Sequence, residues 1–310
     1  MFVSQIVNRF NLLFNQNKKH IHMYFNRLFI SVFLFISIVV FPVSAQNSLL
    51  WKISGNGLKQ PSYLYGTIHM ICAEDFSITP QAQAAFKNSG KLVLEVDLSQ
   101  PSVMQKMQTA SINKNFHNFK GDIPETDARY IDSCLMADMK MGLKQLGMLK
   151  PWALMMAYSM TTAINCSDKK TYETEFIKLA KEQHKSIGEL ETAEFQLAIF
   201  DSIPFQKQIE WLLKSMCEKD VYKVQFDQMI AAYKSQDINK LHQLTMDDEE
   251  MKEFADVLFF QRNKNWISGI EALAKEQSCF IAVGAGHLGG EGGLIDLLKK
   301  QGFKVKPVKK

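Results

Sequence analysis

The chain has 310 residues, 46% of them apolar and 22% charged, with a formal charge of +4. That size and composition allow one α/β domain with a sizeable core, and they rule out a low-complexity or disordered chain. Arg9, Lys18, Lys19 and Arg27 lie in the first 45 residues, where there is no acid. The remainder is therefore near neutral, with no basic stripe of the kind that binds nucleic acid.

An apolar run from Leu28 to Phe41 follows those basic residues, and then comes Pro42-Val43-Ser44-Ala45. This order predicts a secretory signal peptide over residues 1–45, cut after Ala45, with Met1 or Met23 as its start. Residues 46–310 are then one exported domain, periplasmic or secreted. An uncleaved leader would be its only tie to a membrane, because no second apolar run is long enough to span one. The cysteines Cys72, Cys134, Cys166, Cys217 and Cys279 contain no Cys-x-x-Cys, which excludes a zinc ribbon or a thioredoxin-like motif. Cys134 could pair with Cys166 or Cys217, and sequence does not choose. Cys279 opens an apolar strand and reads as a core thiol.

Asn47 to Leu58 is expected as an edge strand, turning at Gly55-Asn56-Gly57. Ser62 to Tyr65 is the next strand and runs into Gly66-Thr67-Ile68-His69. Pro80 opens a helix, and Lys91 to Leu98 is a strand. Helices are then expected from Pro101 to Lys120, Asp127 to Gly147, Ala153 to Ile164 and Thr171 to Gln183. A short strand follows at Ser186 to Leu190. Thr192 can cap a helix to Phe200, and further helices are expected to Gln277, the last as one long helix or two from Asp247. Cys279 to Val283 is a buried strand leading into Gly284-Ala285-Gly286-His287. A helix over Leu294 to Lys300 and a final strand close the chain. Two strand, Gly-x-x-His, helix, strand units thus flank a mostly helical insertion or cap over about 101–275, and the fold class is α/β.

Open parallel sheets place ligands at the C-terminal ends of their strands. His69 and His287 both follow such ends and converge if their units pack side by side. Imidazole is a common metal ligand and a general base near neutral pH. In Val93-Leu94-Glu95-Val96-Asp97 the strand period puts Glu95 and Asp97 on one face, where a buried carboxylate needs a partner or a cation. Glu191 and Glu194 follow another strand as ligands, bases or helix-start acids. Arg262, among Phe259, Phe260 and Trp266, can pair with Glu95, neutralise an oxyanion or cover Trp266. Asn263 beside it can bond substrate, as can Glu191. His117, His184 and His242 read as solvated. The glycines of 284–293 lack the Lys-Ser/Thr of a phosphate loop, and no Gly-x-Ser-x-Gly is present.

These residues together resemble the TraB/PrgY/GumN family, which includes the TIKI metalloproteases, and its GumN-like bacterial members in particular. The resemblance rests on Tyr63-Leu64-Tyr65-Gly66-Thr67-Ile68-His69, Leu94-Glu95-Val96-Asp97, Lys150-Pro151-Trp152, and Glu189-Leu190-Glu191-Thr192 with Glu194 and Gln196. It continues through Arg262-Asn263 with Trp266 and ends at Val283-Gly284-Ala285-Gly286-His287. It implies an α/β fold related to the erythromycin-esterase and ChaN-like group, with an active site of His69, Glu95, Arg262 and His287. It also implies a divalent metal, with Mn, Co or Zn the candidates, and a peptide or protein substrate. No His-Glu-x-x-His is present.

The expectation is an exported metal-dependent hydrolase, a peptidase. His69, His287 and Glu95 hold the metal, Glu95 also serves as base, and Arg262 stabilises the oxyanion. One rival keeps the site without metal and uses a histidine as general base. Another binds and sequesters a peptide without cleaving it.

Overall fold

The computed structural model describes residues 48–309, with the backbone only at positions 250 and 251. The expected leader and its cleavage site lie outside the described residues. Six strands form one sheet: β1 Leu50–Ser54, β2 Ser62–Thr67, β4 Lys91–Leu94, β6 Ser186–Glu189, β7 Cys279–Gly284 and β8 Lys304–Pro307, in the order β6-β4-β7-β2-β1-β8. A separate pair joins β3 Ile71–Cys72 to β5 Lys169–Lys170. Strands β6, β4, β7 and β2 are mutually parallel, while β1 runs against both β2 and β8. The α/β class stands.

Strand β7 is buried along its whole length, as befits an apolar run with a parallel neighbour on each side. It lies between β2 and β4, so the two Gly-x-x-His strands are direct neighbours, with Gly66 opposite Val283. The two turns also touch. A Cβ on Gly66 would fall 3.1 Å from the Cβ of Ala285 and 3.0 Å from Leu288 Cδ2, so only glycine lets them pack this closely. Strand β1 is interior rather than an edge: β8 covers its outer side, and Trp51 and Ile53 are fully buried. Sequence could not show this, because the covering strand comes from the far end of the chain.

Helix Pro80–Asn88 starts at a proline and is capped by Thr79, whose hydroxyl accepts from Ala82 N at 3.2 Å. Phe86 and Phe176 pack with Tyr65 and Phe280 in an aromatic cluster on one face of the sheet. Full burial of such a ring contributes roughly 1.5–3 kcal/mol. The segment between β4 and β7 has a second apolar cluster, built from Ile131, Leu135, Leu154, Tyr158, Ile209 and Leu212.

Several helices stop short of expectation. Pro101–Ala110 ends ten residues early, and the chain then passes through left-handed Asn115 and Phe116. Glu125–Met139 ends at left-handed Lys140 and is followed by the short helix Leu143–Leu146. The stretch from Asp247, expected as one long helix or two, is two helices, Glu249–Glu253 and Gln261–Glu276, with a π turn over Asp256–Phe260 between them. Cys166 pairs with Cys72, not with Cys134. Cys279 is buried, and burial pushes its thiol up to about 11. No helix among the described residues is long and apolar enough to cross a membrane.

Candidate active site

The C-terminal ends of β2, β4, β6 and β7 form one rim, and the site lies there. Strand β4 ends at Leu94, one residue before Glu95. Glu95 and Glu191 continue the pairing of β4 with β6, since Glu191 N donates to Glu95 O at 3.0 Å. Both carboxylates meet the guanidinium of Arg262. Its Nη2 donates to Glu95 Oε2 at 2.6 Å and to Glu191 Oε1 at 2.7 Å, and its Nε to Glu191 Oε1 at 3.1 Å. Arg262 Nη1 donates to Leu258 O, in the π turn, at 2.9 Å. That wide turn just before Arg262 is a familiar device at functional sites. Trp266 Nε1 donates to Glu191 Oε2 at 3.0 Å, and its ring centroid lies 4.8 Å from the guanidinium carbon. Two of the three expectations for Arg262, pairing with Glu95 and covering Trp266, are met together.

His287 is buried between Phe259 and Trp266, with ring centroids 5.1 and 4.6 Å away. Its Nδ1 lies 2.7 Å from Asn263 Oδ1, while Asn263 Nδ2 donates to Gly292 O at 2.9 Å. That orientation of the amide makes Nδ1 the donor, so Nε2 holds the lone pair. Nε2 accepts from Arg262 Nη1 at 3.2 Å and lies 3.8 Å from Glu95 Oε1. Burial, with Arg262 and His69 nearby, takes His287 down to about 3, so the ring is neutral. Burial raises Glu95, but Arg262, His69 and the Gly284 amide outweigh it and hold the carboxyl well below its usual range. Gly284 N donates to Glu95 Oε1 at 2.8 Å, and Gln196 Nε2 donates to Oε2 at 3.1 Å.

His69 sits at the open side of the rim, its side chain 67% exposed. Its Nδ1 lies 3.4 Å from Glu173 Oε1, and Thr67 Oγ1 donates to the same oxygen at 2.7 Å. Glu173 beside it raises the imidazole above its ordinary range. The three candidates converge on Gly284. A Cβ there would lie 3.4 Å from Glu95 Oε1, 3.7 Å from His287 Cδ2 and 3.7 Å from His69 Nε2.

The expected metal donors do not form a metal centre in this arrangement. His69 Nε2 and Glu95 Oε1 face one hollow, but the only lone pair of His287 is engaged by a guanidinium N–H. No cluster of three or more His, Cys, Asp or Glu suited to a metal occurs among the described residues.

Asn263 and Glu191, expected to touch substrate, lie beneath the site instead. Asn263 is 1% exposed and its amide bonds the His287 turn; Glu191 is held by Arg262 and Trp266. Asp97 parts from Glu95, because the strand has ended, and accepts from Ser99 and Gln100. Glu194 is solvent-facing beside Lys106. His117 and His184 are exposed, but His242 is half-buried and its Nδ1 is buried with no partner among the described residues. Its ring lies against the Gly289-Gly290 turn, which the sequence did not bring to it. Glu173 and Gln196 were not singled out as site residues. Gln196 stands in a motif already quoted, whereas Glu173 reads only as an acid in a helix's first turn.

A model of the TraB/PrgY/gumN family matches residues 49–307. The chain is 24% identical over 323 residues to "Metalloprotease TIKI1" of Danio rerio, covering 85% of this chain and 64% of that protein. It is 23% identical over 324 residues to "Metalloprotease TIKI2" of the same species, covering 85% and 62%. It thus spans less than two thirds of these relatives. "Uncharacterized protein YbaP" of Escherichia coli (strain K12) is 25% identical over 248 residues, 76% of this chain and 87% of that protein. No solved structure matches.

Proposed function

This chain belongs to the TraB/PrgY/gumN family, and on that footing we propose that it is an exported hydrolase that cleaves peptide bonds. One observation carries the reading: His69 Nε2, Glu95 Oε1 and the His287 ring surround the bare Cα of Gly284. The TIKI relatives are named metalloproteases, which supports the reaction class. The Cys72–Cys166 disulfide and the basic, then apolar leader support an oxidising compartment.

In the proposed reaction a water held at Glu95 Oε1, beside the neutral His287 ring, gives that carboxylate one proton as its oxygen adds to the carbonyl carbon. Arg262 and His69 place positive charge near the developing oxyanion. His69, kept protonated by Glu173, returns a proton to the leaving nitrogen. A metal-free course gains support from Arg262, which occupies the His287 lone pair that an ion would need.

The test is digestion of a diverse peptide pool, read by mass spectrometry. It compares chelator-stripped protein, protein supplied with Mn, Co or Zn, and the His69→Ala and His287→Ala variants. Cleavage by the parent and its loss in both variants is expected. Full cleavage by His287→Ala would remove the proposed site.

A further inference from the structure

We infer that Glu173 is the positioning residue of His69: it fixes the ring so that Nε2 faces the Gly284 hollow. The inference rests on the hydrolase reading only for its catalytic consequence.

His69 is the one exposed member of the site, so packing does little to hold its ring. Its only polar partner among the described residues is Glu173, at Nδ1. An imidazole held at Nδ1 has a single other nitrogen to present, and that nitrogen is the atom beside Gly284 and Glu95. The carboxylate is itself braced. Its side chain is 14% exposed, and Oε1 accepts from Thr67, two residues before His69 on the same turn. A first-turn acid serving only the helix dipole would stay in water. Glu173 is turned inward onto the Gly-x-x-His turn instead.

The backbone brings this pair together across 106 residues of sequence. Strand β3, just after His69, pairs with β5, just before the helix Tyr172–Glu182 that carries Glu173. Ala73 N donates to Asp168 O at 3.0 Å, and the Cys72–Cys166 disulfide ties the same two segments. Thr171 caps the helix by accepting from Thr174 N at 3.1 Å, which fixes the turn that bears Glu173. The β3–β5 pair and the disulfide therefore add a second link between His69 and its partner, beside the packing of that helix on the sheet.

The experiment uses the full chain, disulfide intact, with Glu173→Ala, Glu173→Gln, Glu173→Asp, Thr67→Val and the Thr67→Val/Glu173→Ala double variant. In peptide hydrolysis, Glu173→Ala is expected to lower kcat by about 100-fold or more, with KM changed less than about threefold. Glu173→Asp should recover part of that loss. Thr67→Val should cost less, and the double variant should be no worse than Glu173→Ala, because both act through one carboxylate. A readout free of activity is the NOE between the His69 ring protons and Gly284 Hα. It should be present in the parent and lost in Glu173→Ala. Unchanged kcat together with a persisting NOE would overturn the inference. If the parent cleaves no peptide, the hydrolase reading fails while the NOE still decides the positioning role. If Glu173→Ala does not fold, Glu173→Gln and Thr67→Val carry the same test.

Discussion

Arg262 grips Glu191 through two nitrogens, Nε at 3.1 Å and Nη2 at 2.7 Å, while the same Nη2 reaches Glu95 at 2.6 Å. One buried cation thus answers two buried carboxylates. Replacing it with methionine keeps the volume and strands both acids. Breaking a buried pair in this way costs about 3–5 kcal/mol. Arg262→Met is therefore expected to lower the urea midpoint sharply, and Arg262→Met/Glu191→Gln should recover part of the loss. Equilibrium urea denaturation measures both.

Gly284 separates folding from function. Its backbone, φ −51° and ψ 134°, suits any residue, and an added Cβ would make only ordinary contacts, the nearest at 3.4 Å. That methyl would occupy the hollow shared by His69, Glu95 and His287. Gly284→Ala should keep a melting temperature within a few degrees of the parent and lose at least about tenfold in turnover, the scale of a small misplacement at a reacting centre. Paired thermal melts and peptide assays check it.

Acid should weaken the fold through His287. Its folded value is depressed to about 3 from an ordinary 6.5, so between those limits the unfolded chain binds a proton that the folded one does not. Stability is then fully present above about pH 6.5 and falls as pH drops toward 3, on the order of 1 kcal/mol per pH unit. Glu95, also depressed, adds a loss in the same direction below its ordinary 4.5. His287→Gln should flatten the upper part of the profile. Denaturation midpoints from pH 7 to 4 show whether it does.

The Cys72–Cys166 bridge spans 94 residues. Closing a loop of that size restricts the unfolded chain, and losing such a bridge typically costs about 2–4 kcal/mol. Cys72→Ser/Cys166→Ser should therefore melt several degrees lower. Hydrogen exchange should rise first around β3 and β5, because that two-residue pairing otherwise holds the segment. A parallel melt under reducing conditions should shift the parent and leave the variant unmoved.

Much of the architecture can be read locally. Pro80 at the start of its helix, Thr192 before its helix and the apolar run of β7 are short-range signals, and each appears where expected. Helix ends were less legible. Asn115, Phe116 and Lys140 adopt left-handed backbone without a glycine to announce it, and the π turn before Arg262 has no sequence mark. Glu173 was missed because its partner lies 106 positions away, on a turn that composition cannot connect to it.

The sequence by itself determined the two Gly-x-x-His turns, the strands beneath them, the α/β class and Glu95 as a strand carboxylate in need of a partner. These follow from periodicity, glycine placement and the cost of burying a charge, all of which act over a few residues. Only the tertiary structure decided that β7 lies between β2 and β4, that β1 is interior, and that Glu191 and Asn263 support the site from below. It also decided that Cys166 takes Cys72. Those outcomes depend on which distant segments bury one another, and burial is a property of the whole packed chain.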